Sequence, residues 1–300
     1  GVTNKFVNDG ASASLMQRYI PKVIEIALSG ETDIALTATL LLERIISQGF
    51  ANPRIAVSTI VALETSRRAD ISTVAKSMHA KLHDKHERLI ESSYVEGVKA
   101  AANYRLKLGT NMFDEYDNFS YFYHFMKSSR QSKRKFLLGV TKTLDFRVLD
   151  SMKSLASHFW YVVFVANSLS TLHFYSVEEV CTVIHGLDKV LSGTGVSVSN
   201  LIEERLEGKT EGVESWEKLA RCAVVLHAVW AVRQFIKAAY NVSELKAREF
   251  VPSKPGKDPK PATRLAAYAN ERLNLIRQPN SEEATTMVDM VSPFDNEELN

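Results

Sequence analysis

The chain has 300 residues, of which 45% are hydrophobic and 24% charged, with a formal net charge of +2; this balance is typical of a folded globular protein and excludes an intrinsically disordered one. Only 13 glycines and 8 prolines are present, which disfavours a turn-rich all-β fold. The two cysteines, Cys181 and Cys222, exclude a disulfide scaffold and favour buried thiols of an intracellular protein.

The beginning of the chain predicts an excerpt from a longer protein. It starts at Gly1, its first methionine is Met16, and no signal-peptide pattern precedes the first helical stretch. The longest near-continuous apolar run, residues 159–169, is about half of the ~20 residues that a membrane span needs. We therefore expect a buried core helix there and no membrane partner.

Apolar residues recur with helical period along almost the whole chain. Residues 14–29 predict the first helix, which Pro21 either bends or begins. Thr32 or Asp33 can cap the next helix, and Gly49 stands where a glycine in the left-handed conformation ends one.

The third helix begins at Asn52 as N-cap with Pro53 in its first turn. Ser176 and Glu179 form a capping box that opens a helix ending near the glycines of 192–195. Further helices are predicted at about 69–91, 93–109, 117–145 (a pair), 146–170 and 216–240, the last apolar on most faces and therefore buried.

Ten or more helices joined by short polar turns predict an all-α protein of antiparallel helix pairs. The early units of about 35 to 45 residues have the size of a HEAT-type repeat. Because no strict period is visible, we predict an irregular HEAT-repeat α-solenoid, and a globular bundle stays open as the alternative. The predicted organisation is helical repeats over 1–250, a proline- and lysine-rich strap at 251–261, a terminal helix at 262–277 and an acidic tail at 278–300.

Three histidines, His79, His83 and His86, lie with Glu87 on one predicted helix. They fall within an arc of about 60°, but His79 and His86 are about 10.5 Å apart along the axis. Zinc ligands lie about 2.0–2.1 Å from the ion, so a third histidine at i+7 hardly reaches it. We therefore expect no metal site and a partly exposed polar flank.

Other catalytic arrangements are equally poorly supported. The sequence contains no P-loop, no GxSxG elbow and no GxGxxG motif. Cys181 and His185 at i, i+4 could pair a nucleophile with a base, but their apolar neighbours favour two core residues. We predict no catalytic residues, no cofactor and no enzymatic activity.

Residues 126–153 carry eight basic side chains against two acidic ones. The cations cluster at a turn before a helix, where they can project together without burial. Cations at a helix start oppose its macrodipole at a small cost, which points to an external anion such as DNA phosphate or an acidic partner. A solvated helix start stays open as an equally weighted alternative. The candidate binding residues are Lys127, Arg130, Lys133, Arg134, Lys135 and Lys142.

A second basic block lies on the strap. Its candidate residues are Lys254, Lys257, Lys260 and Arg264. A solvated linker, neutralised by the acidic tail, is the favoured interpretation there. Aromatic residues crowd 113–125; single-strand stacking is conceivable, but their i, i+3, i+4 spacing is typical of core packing.

Five stretches in order resemble the C-terminal region of the cohesin loader family, Nipped-B or adherin, in its fungal type. These are residues 48–66, 75–105, 122–145, 161–195 and 232–255. Asn241 departs from the family pattern by replacing a glycine at a helix end, where Asn can adopt the left-handed conformation. The acidic segment 281–300 has no counterpart in the family.

The resemblance implies a hook-like HEAT superhelix that acts as a non-catalytic scaffold in the nucleus, on chromatin. It implies loading of cohesin, stimulation of the ATPase of its SMC heads, and binding to kleisin and to double-stranded DNA. The family's TPR-repeat partner binds an N-terminal region absent here. The alternatives are a purely protein–protein scaffold and a HEAT scaffold of another class, such as a transport or adaptor protein, without DNA contact.

Overall fold

The computed structural model describes residues 3–109, 119–126, 129–148, 151–208 and 214–250, and within these ranges the regular structure is helical throughout, with no strand. The chain divides into two compact units, one of residues 1–110 with 120–129 and one of 111–119 with 130–300. The described residues of the first unit form six helices: α1 (Thr3–Ala27), α2 (Asp33–Ser47), α3 (Pro53–Glu64), α4 (Ala69–Glu91), α5 (Tyr94–Lys107) and α6 (Ser120–Phe125).

Local sequence sets the helix ends of the first unit as predicted. The Thr32 hydroxyl accepts a hydrogen bond from the Ala35 amide, which decides between the two candidate caps of α2. Asn52 accepts from the Arg54 amide, with Pro53 as the first residue of α3. Gly49 has φ of 78°, the left-handed conformation that lets the chain leave α2.

The helices of the first unit pack mainly as neighbours and next-neighbours. α1 contacts α2, α2 contacts α4, and α3 contacts both α4 and α5. The short connection between α3 and α4 makes them antiparallel. Gly97 of α5 allows the close approach to α3, because a Cβ there would lie 2.9 Å from the Cβ of Val61.

The described residues of the second unit form six further α-helices, α7 (Arg130–Lys142), α8 (Met152–Thr171), α9 (Val177–Val190), α10 (Val196–Leu206), α11 (Trp216–Ala239) and α12 (Glu244–Arg248). α11 contacts α8, α9 and α10, and α7 packs on α9. By length and composition α11 could span a membrane, but 72% of its most apolar 18-residue stretch is buried inside the fold. It is the predicted buried helix, and the apolar run of α8 is buried as well.

α1 runs across Pro21, so Pro21 does not begin the helix, and the alternative that it bends the helix stays a prediction. The end of α9 needs a correction as well. α9 ends at Val190, next to the predicted glycines, but the chain does not leave the helical conformation there, because it continues through a π-helical turn, Leu191–Gly195, directly into α10. Gly195 has helical φ and ψ of −58° and −51°, so glycine permits a break here without imposing one.

Candidate anion-binding surface

The first six residues of α7 include four cations, and its first turn has no acidic residue. Two of these cations are held by carboxylates at the start of α9. The guanidinium of Arg130 donates to Glu178, while the Arg130 side chain stays 52% exposed. The ammonium of Lys133 donates to Glu179 at 3.0 Å and lies 4.5 Å from the centre of the Tyr175 ring.

Lys133 corrects the expectation that all cations of this turn project into solvent. It is only 4% exposed, because α9 presents a carboxylate to it. Ser176 caps α9 as predicted, since its hydroxyl accepts from the Glu179 amide. The Glu179 carboxylate accepts from the Tyr175 amide at 3.0 Å, one residue before the donor that the capping box predicts, and this bond holds the carboxylate in place. Lys133 therefore fastens α7 to α9 and does not offer its charge to an external anion.

The outward-facing charge of α7 lies on three other candidates, Arg134, Lys135 and Lys142, which are all exposed. Lys135 and Lys142 are seven residues apart and so lie on the same face of the helix. Within the described part of the chain no ion pair involves any of the three. Their charges are available to an anion in solution.

α9 adds two residues that the sequence argument did not select, His185 and Lys189, both exposed. Partial burial lowers the pKa of His185 first, and the positive charges of Lys189 and Arg134 lower it further, while Asp188 opposes them. His185 thus lies between cations of two helices. The prediction that it is a core residue was wrong; its i, i+4 relation to Lys189 was the signal available in the sequence. We call Arg134, Lys135, Lys142, His185 and Lys189 the α7–α9 basic surface.

Cys181, the other residue considered as a nucleophile, is buried as predicted. Burial raises the pKa of its thiol, the opposite of what a thiolate nucleophile requires. Cys222 is also buried.

His79 is not on an exposed flank. It is 1% exposed, with Nδ1 2.6 Å from Glu64 Oε1 and Nε2 2.8 Å from the Tyr94 hydroxyl. Burial raises the pKa of Glu64, against the hydrogen bond from His79. Among the other two histidines, His86 is exposed as expected and His83 is half-buried. The three imidazoles therefore have three different environments.

The aromatic residues of 119–125 that lie in the described ranges pack in the interior, as their spacing predicts. Phe119, Phe122 and Tyr123 are buried, and the Tyr121 ring lies against His79 at 5.9 Å. No exposed stacking platform exists among them. Five predicted basic residues, Lys127, Lys254, Lys257, Lys260 and Arg264, lie outside the described residues, as do the strap, the terminal helix and the acidic tail.

Helices that contact their neighbours and next-neighbours along the chain have the arrangement of an irregular HEAT-repeat α-solenoid. One of these helix pairs, α7 and α9, carries the basic surface. The fold matches that of the Chaetomium thermophilum cohesin loader SCC2, C-terminal fragment, with a TM-score of 0.74 and 20% identity over 95% of this chain and 21% of that one. Residues 12–190 match the family described as Sister chromatid cohesion C-terminus. The chain belongs to this family, the cohesin loader family.

Similar proteins occur in fungi and in animals. The chain is 27% identical to Sister chromatid cohesion protein mis4 of Schizosaccharomyces pombe, over 88% of this chain and 16% of that protein. It is 26% identical to Sister chromatid cohesion protein 2 of Saccharomyces cerevisiae, over 68% and 15%, and 24% identical to the Nipped-B-like protein of Mus musculus, over 66% and 7%. The chain thus spans about a sixth, or less, of the length of these relatives.

Proposed function

We propose that this chain is a non-catalytic scaffold segment of a cohesin loader, which binds cohesin and DNA, promotes cohesin loading onto chromatin in the nucleus and stimulates the SMC ATPase. Family membership supports the cohesin part of the proposal. One structural observation supports the DNA part. α7 and α9 together expose four cations, Arg134, Lys135, Lys142 and Lys189, beside the less basic His185, while Arg130 and Lys133 are engaged by Glu178 and Glu179.

The α7–α9 basic surface can bind DNA without reading its sequence. Lysine and arginine side chains that contact phosphates release counterions, so affinity falls with salt. The two ion pairs fix α7 on α9, which keeps the cations of both helices on a rigid base. Such a surface positions DNA beside the SMC heads and needs no group that makes or breaks bonds.

The remaining partners follow from the family resemblance. The proposal includes contact with the SMC heads and kleisin, and a TPR-repeat partner that binds a region not contained in this chain. A secondary candidate for the same anion is the set of basic residues in and just after the strap, Lys254, Lys257, Lys260 and Arg264.

The experiment is cohesin ATP hydrolysis with DNA, using full-length loader in which Arg134, Lys135 and Lys142 are changed to Glu. Lys133 is left unchanged, because a glutamate there would face Glu179 in the interior. We expect loss of DNA-dependent stimulation, and a salt dependence of DNA binding shallower by up to about three units in log K against log salt, roughly one unit for each lost phosphate contact.

A matched control makes the same charge change elsewhere. Arg54, Lys85 and Lys107 are exposed cations of the first unit, and their reversal to Glu alters net charge equally. If both triple variants lose stimulation alike, bulk charge is responsible and the α7–α9 basic surface has no specific role. If neither does, DNA meets the loader elsewhere; an altered affinity for cohesin alone would favour an acidic protein partner for this surface.

A further inference from the structure

α4 is broken at one residue. His86 has φ of −140° and ψ of 34°, outside the helical region. In a straight helix, His83 and Glu91 are about 12 Å apart along the axis. Here a ring nitrogen of His83 and one carboxylate oxygen from each of Glu87 and Glu91 lie within 4.8 Å of one another. The break lies between His83 and Glu87, so straight-helix distances do not apply across it.

One ring nitrogen of His83 lacks a hydrogen-bond partner among the described residues. Its Nε2 atom exposes less than 1 Å² and has no partner in the described part of the chain. A buried polar nitrogen in that state costs free energy. Phe125 of α6 holds the ring in place, with centroids 4.7 Å apart and an interplanar angle of 32°. The ring is thus oriented before any ligand arrives, and an electron-pair acceptor would remove the cost.

The negative charges of Glu87 and Glu91 also act on the buried Tyr94. Burial raises the pKa of the Tyr94 hydroxyl, and the charges of Glu64, Glu91 and Glu87 raise it further. Negative potential therefore accumulates on this side of α4, which favours a cation over a neutral ligand.

We propose that His83, Glu87 and Glu91 form a zinc-binding site. Bonds of about 2.0–2.2 Å to a tetrahedral Zn²⁺ place ligand atoms about 3.4 Å apart. The three atoms must therefore approach by at most about 1.4 Å, a change within the reach of glutamate rotamers. One imidazole and two carboxylates suit Zn²⁺ better than Mg²⁺, which prefers oxygen ligands in an octahedron. Water completes the tetrahedron.

This site differs from the one rejected on the sequence. His79 takes no part in it, because Glu64 and Tyr94 hold both of its ring nitrogens. The ion joins the two parts of α4 across its break at His86 and fixes the segment that leads into α5. The site is independent of the proposed DNA contact, which lies on α7 and α9 of the other unit.

The test is zinc binding by the full 300-residue chain, freed of metal, in competition with a chromophoric chelator. We expect one Zn²⁺ per chain, bound with micromolar or tighter affinity and not displaced by a thousandfold excess of Mg²⁺. His83→Ala and Glu87→Gln should each weaken binding more than tenfold. Glu87 is exposed, so its variant keeps the fold, which circular dichroism verifies.

His86→Ala is the matched control, since His86 lies on the same helix, is exposed and is outside the ligand set. It should bind zinc within twofold of the unchanged chain. Absence of stoichiometric zinc would overturn the proposal. So would undiminished binding by His83→Ala and Glu87→Gln, or a loss in His86→Ala as large as in those variants.

Discussion

Arg233 of α11 shows how a buried cation is accommodated in this protein. It is 3% exposed and donates to Asp188 of α9 and to Glu244 of α12, where Oε2 lies 2.7 Å from its guanidinium. Lys237 donates to the same Glu244 carboxylate. A buried guanidinium needs such partners, because an uncompensated charge in the interior strongly destabilises the fold.

The Glu244 carboxylate makes the stability of the fold depend on pH in the acidic range. The hydrogen bond from Arg233 holds its pKa down to about 2, from an ordinary 4.5. Because the folded pKa is the lower one, its contribution is complete above about pH 4.5 and is lost as pH falls toward 2. We expect Glu244→Gln to lower the urea midpoint at pH 7 and to flatten its decline between pH 5 and 2.

Glu249→Gln, an exposed change in the same segment, serves as the comparison and should leave the profile as it is. Parallel profiles for Glu244→Gln and the unchanged chain, measured by helical circular dichroism, would show that Glu244 is not the titrating group.

At the level of single residues, sequence spacing could place His79, His83 and His86 on one side of a helix but could not assign their environments. His79 finds its carboxylate on another helix, 15 residues away in sequence. His83 and Glu87 lie on either side of a break in α4 that no residue preference announces. In both cases the missing quantity was a contact or a backbone angle set by tertiary packing.

At the level of helices, the approach of α7 to α9 depends on a residue without a side chain. A Cβ on Gly186 would lie 2.7 Å from the Cβ of Thr141 and would overlap its hydroxyl oxygen. The same helix pair carries the α7–α9 basic surface and the Lys133–Glu179 ion pair. The separation of these two helices therefore controls both stability and the arrangement of the surface cations.

Gly186→Ala should destabilise the protein by about 1–3 kcal/mol, the usual cost of overpacking. Gly193→Ala is the comparison, because nothing lies within 4 Å of a Cβ there, and its cost should be within about 0.5 kcal/mol, as for surface changes. Urea denaturation measures both. Equal losses of unfolding free energy in Gly186→Ala and Gly193→Ala would mean that α7 and α9 can move apart without destabilising the protein.

Capping residues were the helix features that sequence predicted best. Thr32, Asn52 and Ser176 each accept the predicted kind of amide hydrogen bond, and Asn241 has φ of 50° where a glycine was expected. Caps are predictable because the donor and acceptor lie within three residues of each other. The π-helical turn at 191–195 was missed, because whether a glycine-containing segment bends depends on what packs against it.

At the level of the whole molecule, charge is distributed unevenly along the chain. Residues 281–300 contain six acidic and no basic residues, while the α7–α9 basic surface is exposed. An acidic segment of the same chain competes with external anions for such a surface, more strongly the closer it lies and less strongly as salt screens the charges.

Deleting residues 281–300 changes the formal net charge from +2 to +8, since six carboxylates are removed. We expect tighter binding to DNA at low salt, with a difference that shrinks as salt rises. A chain that keeps the full length but carries Asn and Gln at the six acidic positions separates charge from length and should behave like the deletion. Unchanged affinity in both would exclude competition by the tail.

The sequence by itself determined the all-α class, most helix positions, the caps, the cluster of cations and the resemblance to the cohesin loader family. These features depend on periodicity and on contacts between residues close in the chain. Only the tertiary structure decided which of the clustered cations face solvent. Lys133 is neutralised by a carboxylate 46 residues away, and burial is a property of the packed neighbours, which spacing within one helix does not encode.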